Sequence, residues 1–169
     1  MEQAKAVCIE MLSGRGYTNI TRNEDDLLMA NRGSGEGIAV FFDDNSKLTK
    51  MSISKYMSLM RQIGVQHSIV VYSDVVTNTT SRSVDNSIDM EIELFSKSEL
   101  QFNITKHRLQ PKSFTVLPRN EEIDFKKKYG VKFPVMRSND PIARFYNYKK
   151  GNVIEILDKR DLVHYRIVR

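Results

Sequence analysis

Ala4, Val7, Cys8, Met11 and Leu12 recur at the spacing of one helical face, which predicts an amphipathic helix at the start of the chain. Gly14 and Gly16 end it. Leu27-Leu28-Met29-Ala30 and Ile38-Ala39-Val40-Phe41-Phe42 predict two strands, with Gly33-Ser34-Gly35-Glu36-Gly37 between them as a hairpin loop. Ile53, Tyr56, Met57, Met60 and Ile63 share the face of a second helix, with Ser52 as its expected N-cap and Gly64 as its stop. Ser68-Ile69-Val70-Val71-Tyr72 predicts a short, buried, β-branched strand. Residues 73–87, rich in Ser, Thr, Asn and Asp, read as a loop with room for a short helix. In Met90-Glu91-Ile92-Glu93-Leu94 apolar and acidic residues alternate, the pattern of a strand with one wet face.

The remaining residues form a second, compact pattern. Asn120 is the expected cap of a helix running through Tyr129, with Gly130 just beyond. Asp140-Pro141 is a sharper start signal. Asp accepts hydrogen bonds from the free amides of a first turn, and Pro fits the first helical position because its missing N–H had no partner there. That helix is expected to run to about Tyr148, with Gly151 after it. Asn152–Leu157 and Leu162–Val168 predict a terminal hairpin turning at Asp158-Lys159-Arg160-Asp161. The order of elements predicts two α/β or α+β units, the second a smaller mixed one.

Charge marks the same division. Residues 1–99 carry 10 Lys+Arg against 14 Asp+Glu, a net of −4, and residues 100–169 carry 16 against 7, a net of +9. We therefore place the domains at 1–98 and 99–169, and expect them to face different partners. A basic half suits nucleic acid or an acidic protein surface, and charge alone does not choose.

Composition narrows the classes. Hydrophobic residues make up 40% of the chain, too many for a disordered protein. No apolar run approaches the roughly 20 residues of a membrane helix, and the polar, mixed-charge start does not read as a secretory leader. Cys8 is the only cysteine, so no internal disulfide can form and a reducing, intracellular location is expected. With Cys8 alone, and with His67, His107 and His164 far apart in sequence, no metal is expected, and neither is a cofactor or small-molecule ligand. The glycine-rich stretch 33–37 lacks the Lys-Ser/Thr of a phosphate loop and joins strands instead of opening a helix. Nothing groups Ser, His and Asp into a triad.

The second half carries a resemblance. Asn103-Ile104-Thr105-Lys106-His107-Arg108-Leu109-Gln110-Pro111-Lys112, then Asp140-Pro141-Ile142-Ala143-Arg144-Phe145-Tyr146, then Gly151, Val153, Ile156 and the ending Tyr165-Arg166-Ile167-Val168 stand in order and at the spacing of one family. Together they resemble the assembly domain of the fifth, shared subunit of eukaryotic-type DNA-directed RNA polymerases, a family with archaeal members. Arg15-Gly16-Tyr17, Val40-Phe41-Phe42, Ile53 to Tyr56 and Glu99-Leu100 are similar to that family's eukaryotic jaw domain, which has a restriction-endonuclease-like layout. There are departures. Ser113 replaces a frequent His, Asn147 replaces a usual Gly, and the turn at 158–161 and the segment 130–133 are shortened. Val76-Thr77-Asn78-Thr79 stands in place of a Thr-Pro-Ser-Ala-like stretch. A compacted version from a large DNA virus would show such changes.

The resemblance implies a non-catalytic polymerase subunit whose C-terminal half docks on the largest subunit, beside neighbouring small subunits, with the jaw near downstream duplex DNA. It also implies a nuclear location for a cellular protein, or the virion or host-cell transcription site for a viral one. The interface residues it points to are His107, Pro111, Asp140, Pro141, Arg144, Tyr165 and Arg166, with the arginines suited to forked bonds to partner carboxylates. In the jaw, Thr77, Asn78, Thr79 and Arg82 are the residues placed to touch phosphates. Two other classes compete with this reading. One is a free-standing nucleic-acid-binding protein. The other is a nuclease, for which Asp43, Asp44 and Lys47 are the nearest local grouping, although they read as a turn after a strand.

Overall fold

In the computed structural model, residues 1–23, 27–33, 35–85, 87, 89–130 and 132–169 are described, without the side chain of Asp85. Part of the predicted hairpin loop, Ser34, lies outside them. The chain divides into two compact units, Met1–Phe102 and Asn103–Arg169. The division falls four residues beyond the expected one because the buried Leu100, whose amide donates to the carbonyl of Lys97, stays with the first unit.

The first unit contains α1 (Glu2–Gly14), β1 (Thr18–Arg22), β2 (Leu28–Arg32), β3 (Glu36–Asp43), β4 (Lys47–Leu48), α2 (Lys50–Ile63), β5 (His67–Tyr72), β6 (Val75–Val76), α3 (Asn78–Asp85) and β7 (Glu91–Ser96). Its main sheet runs β1-β2-β3-β5-β7. The strands β1, β2 and β3 are antiparallel, whereas β3, β5 and β7 are parallel, with α2 and α3 in the connections between them. Alternation along the strands feeds two faces. Ala39, Phe41, Val70 and Ile92 pack with Ile53 and Met60 of α2 and Val84 of α3. On the other face α1 lies with Lys5 over the ring of Phe42 and buries its predicted apolar stripe.

Three expectations change here. The cap of α2 is Thr49, whose hydroxyl accepts from the amide of Ser52, so Ser52 is the third residue inside the helix and not its cap. Gly64 does end it, in the left-handed conformation (φ 73°) that glycine adopts without a Cβ clash. Within 73–87 the short helix is present as α3, and a strand not expected there, β6, precedes it and pairs with β4. The acidic side of β7 is not simply wet, because Glu93 is largely buried.

Ser68, the second residue of β5, is fully buried, and its hydroxyl oxygen has no hydrogen-bond partner. A buried hydroxyl without a partner costs free energy. Ser68→Ala is expected to raise stability by about 1 kcal/mol, read from the denaturation midpoint of the two proteins. A loss of similar size would mean that the hydroxyl is satisfied after all.

The second unit contains a short 3-10 turn (Ile104–Lys106), β8 (Ser113–Val116), α4 (Arg119–Tyr129), β9 (Val135–Met136), α5 (Pro141–Tyr146), β10 (Val153–Leu157) and β11 (Val163–Val168). Its sheet runs β8-β10-β11-β9, antiparallel except for the β11–β9 pair. Ile154, Ile156 and Val168 on one face pack with Met136 and with Ile142 and Ala143 of α5. Tyr165 lies on the opposite face, where its ring meets Phe125 of α4 at 4.6 Å. The α4 helix begins after Pro118 without a side-chain cap, so Asn120 sits inside it. The α5 helix is shorter than expected and stops at Tyr146, because Asn147 turns left-handed (φ 54°). This accounts for asparagine in the place of a family glycine: its short polar side chain tolerates that conformation better than most.

Candidate functional site

The two motif stretches of the second unit meet in space. Asp140 caps α5, its Oδ1 accepting from the amide of Ile142 at 2.9 Å, and Pro141 fills the first helical position. Asn103 caps the 3-10 turn in the same way, its Oδ1 accepting from the amide of Thr105 at 2.9 Å. Ile104 then packs against the cluster that contains Ile142 and Ala143. Burial raises the hydroxyl of Tyr146 above its ordinary value, and the Thr105 side chain lowers it in part. The chain between motifs is long, but their apolar residues share one small core.

Of the expected interface residues, Arg166 pairs across the ladder with Ile154 and therefore lies on the sheet face that α5 covers. His107 is exposed at the end of the 3-10 turn, with Nδ1 accepting from the amide of Leu109 at 3.3 Å. Pro111 and Arg144 are half-buried. Asp140 and Pro141 serve as helix-start residues. Tyr165 stands apart from the rest: it packs on Phe125, and its hydroxyl donates to Glu155 Oε2 at 2.9 Å. The periodicity of the last strand already put Tyr165 and Arg166 on opposite faces.

In the first unit, the polar stretch proposed to lie near DNA opens α3. The Thr77 hydroxyl accepts from the amide of Thr80 at 3.2 Å and bonds the hydroxyls of Thr79 and Thr80 at 2.9 and 2.7 Å. Thr77 thus acts as a cap, while Asn78, Thr79 and Arg82 are exposed on the helix. The nuclease grouping is structural at its centre. Asp43 is buried, with Oδ1 accepting from the amide and side chain of Asn45 and Oδ2 from the hydroxyl of Tyr56 at 3.1 Å.

The structure also assembles a polar cluster that the sequence did not announce. Arg15, after α1, grips Glu93 of β7 with two parallel bonds of 2.6 and 2.9 Å. Glu93 Oε1 also lies 2.7 Å from Nε2 of His67, and His67 Nδ1 lies 3.3 Å from the hydroxyl of Tyr17. With Nε2 carrying the proton toward Glu93, Nδ1 is left to accept from Tyr17. Burial by itself would raise the carboxyl of Glu93. The His67 bond and the charge and bonds of Arg15 outweigh it and hold the group at about 2. Glu91 also approaches His67, at 3.7 Å, so these three residues form a candidate ion cluster among the described residues. Both oxygens of Glu93 are already taken by Arg15, which makes the arrangement a structural ion pair. Nearby, burial pushes the Cys8 thiol up to about 12, so it lacks the thiolate needed for chemistry. The one signal for the cluster was an acidic residue at a strand position flanked by apolar neighbours, which alternation alone assigns to solvent.

Comparison with known proteins agrees with the motif series. Residues 102–168 match the family model described as RNA polymerase Rpb5, C-terminal domain. The chain is 34% identical to DNA-directed RNA polymerase subunit 454R of Invertebrate iridescent virus 6, over 95% of both chains. It is 30% identical to DNA-directed RNA polymerases I, II, and III subunit rpabc1 of Dictyostelium discoideum, over 72% of this chain but 64% of that one. It is 29% identical to DNA-directed RNA polymerase subunit 5-like protein 1 of Arabidopsis thaliana, over 91% and 86%. The α+β architecture, the two joined motifs and these matches define the class as a subunit of DNA-directed RNA polymerases. The chain belongs to the Rpb5 family, and it spans nearly the whole of the viral member but under two thirds of the Dictyostelium one.

Proposed function

We propose that the second unit docks this chain on the largest subunit of a DNA-dependent RNA polymerase, beside neighbouring small subunits, and that the first unit then lies near the downstream duplex. One observation carries this reading: the family match runs from residue 102 to 168 and so spans nearly the whole of the unit that begins at Asn103. Physical chemistry supports it. A unit of about 70 residues buries little core by itself, and docking on a larger body adds burial. Its net charge of +9 suits an acidic protein surface. The first unit, at −4, is unsuited to broad electrostatic DNA binding, which leaves a local contact through Asn78 and Thr79 at the start of α3 and Arg82 in its last turn. The location follows the polymerase: nucleus for a cellular enzyme, virion or host transcription site for a viral one.

Affinity purification of the tagged full-length chain is expected to recover the two largest polymerase subunits. Recovery of the chain alone would overturn the proposal. Strong, salt-dependent duplex binding by that isolated chain would favour a free nucleic-acid-binding protein instead. Arg144→Glu is expected to reduce incorporation about tenfold or more while the circular dichroism spectrum stays that of the parent. Normal incorporation would remove Arg144 from the interface.

A further inference from the structure

The segment before β8 and the tip of the β10–β11 hairpin are tied into one surface. The ammonium of Lys159, in the hairpin turn, donates to the carbonyl of Arg108. The ammonium of Lys112 meets Asp161 at 2.5 Å, and its amide donates to the carbonyl of Leu157 at 2.8 Å. The turn is itself braced by Asp158, whose Oδ1 accepts from the amides of Arg160 and Leu162 at 2.7 and 2.9 Å. These two amide bonds lead the causes that hold its carboxyl at about 2. Few degrees of freedom remain to be lost when something binds here.

Three aliphatic side chains are exposed in these two tied segments: Leu109 is 76% exposed, Leu162 51% and Val163 49%. Leu109 follows the residue that receives Lys159, and Leu162 and Val163 leave the same turn. Around them, residues 106–112 and 157–164 hold five Lys and Arg against two Asp, a net of +3. Both aspartates are occupied within the surface, Asp158 by the turn and Asp161 by Lys112. The same residues include no Phe, Tyr or Trp.

We propose that this surface, centred on Leu109, Leu162 and Val163, takes hold of a partner polypeptide through a short acidic segment that carries apolar side chains. The charge asks for a negative occupant, and the aliphatic trio asks for one with apolar side chains to bury. A nucleic-acid strand answers the first demand and not the second, since single-stranded sites pair their cations with aromatic platforms for the bases. The inference rests on the docking reading above and deepens it. It names residues other than the interface residues drawn from the resemblance, Leu109 within a motif stretch and Leu162 and Val163 outside the motifs, and gives the chemistry of what they meet.

The test uses the full-length chain in cells that contain its polymerase, with a photoreactive residue in place of Leu109 or, separately, Leu162. Cross-links from both positions to one acidic, apolar stretch of a polymerase subunit are expected. In parallel, the variant Leu109→Gln/Leu162→Gln/Val163→Thr should co-purify with polymerase about tenfold less than the parent while melting at the same temperature or higher. If the parent is recovered with polymerase but the probes label nothing, or label nucleic acid or a basic segment, this inference is overturned and the docking proposal stands. Undiminished recovery of the triple variant overturns it equally. If the parent itself is not recovered with polymerase, both fall. Should the triple variant unfold, the cross-links in the otherwise unchanged chain still decide.

Discussion

Arg15→Met is expected to destabilise the first unit by about 3–5 kcal/mol, the usual cost of stripping one partner from a buried ion pair. The Arg15 guanidinium is almost entirely covered, and the side chain of Glu93 is 14% exposed, so water cannot replace the lost bonds. The remaining carboxylate would keep one bond, to His67, and face a pocket built for a cation. Neutralising it as well should relieve most of the penalty. Arg15→Met/Glu93→Gln is therefore expected to be more stable than Arg15→Met alone, because the amide can still accept from His67 without a buried charge. Urea denaturation at neutral pH measures both differences. A loss below about 1 kcal/mol for the single variant would show that the pair behaves as a surface salt bridge.

The same cluster predicts an acid limb. A carboxyl held below its ordinary value contributes stability above that ordinary value, and the contribution disappears as the pH falls through the folded value. For Glu93 the window runs from 4.5 down to about 2. The first unit should lose on the order of 3 kcal/mol across it. In Arg15→Met the corresponding loss should shrink or vanish, because without the guanidinium the folded value rises toward the ordinary one and the window closes.

The second large effect is expected at Ile154, fully buried in the core beneath α5. Ile154→Ala removes three heavy atoms from the buried face of β10 and should cost about 2–5 kcal/mol. For a unit of this size that is comparable to its whole stability. Hydrogen exchange of the β10 and β11 amides should accelerate to near unfolded rates, while β3 and β5 keep the protection of the parent. If docking adds burial as proposed, assembly into polymerase should restore part of the lost protection by mass action. Unchanged exchange in β10 and β11 would mean that the site repacks or that the unit holds far more stability than its size implies.

Much of the fold was legible in the chain because it depends on local periodicity. The stripe Ala4–Leu12, the β-branched run Ser68–Tyr72 and the Asp140-Pro141 start each encode an element through residues within one or two turns of each other. The family was legible for a related reason: its motifs are continuous stretches whose order survives divergence. Caps were less so. Ser52 and Asn120 are good capping residues that ended up inside helices, since a cap depends on where the preceding chain turns. For α2 that turn is made at Thr49, at the end of β4, a two-residue strand whose pairing with β6 has no signature in sequence.

Local order along the chain was enough for the helices with strong stripes, the buried strands, the terminal hairpin and membership of a polymerase-subunit family. That Glu93 is largely buried and gripped by Arg15, 78 residues away in sequence, emerged only with the fold. It alone joined Leu109 to the hairpin tip, through contacts spanning about fifty residues. The physical reason is the range of the forces involved. Period and capping act over a few residues and leave a trace in the order of amino acids. Ion pairing and shared burial act through space and become visible only once sheet register has set which distant residues are neighbours.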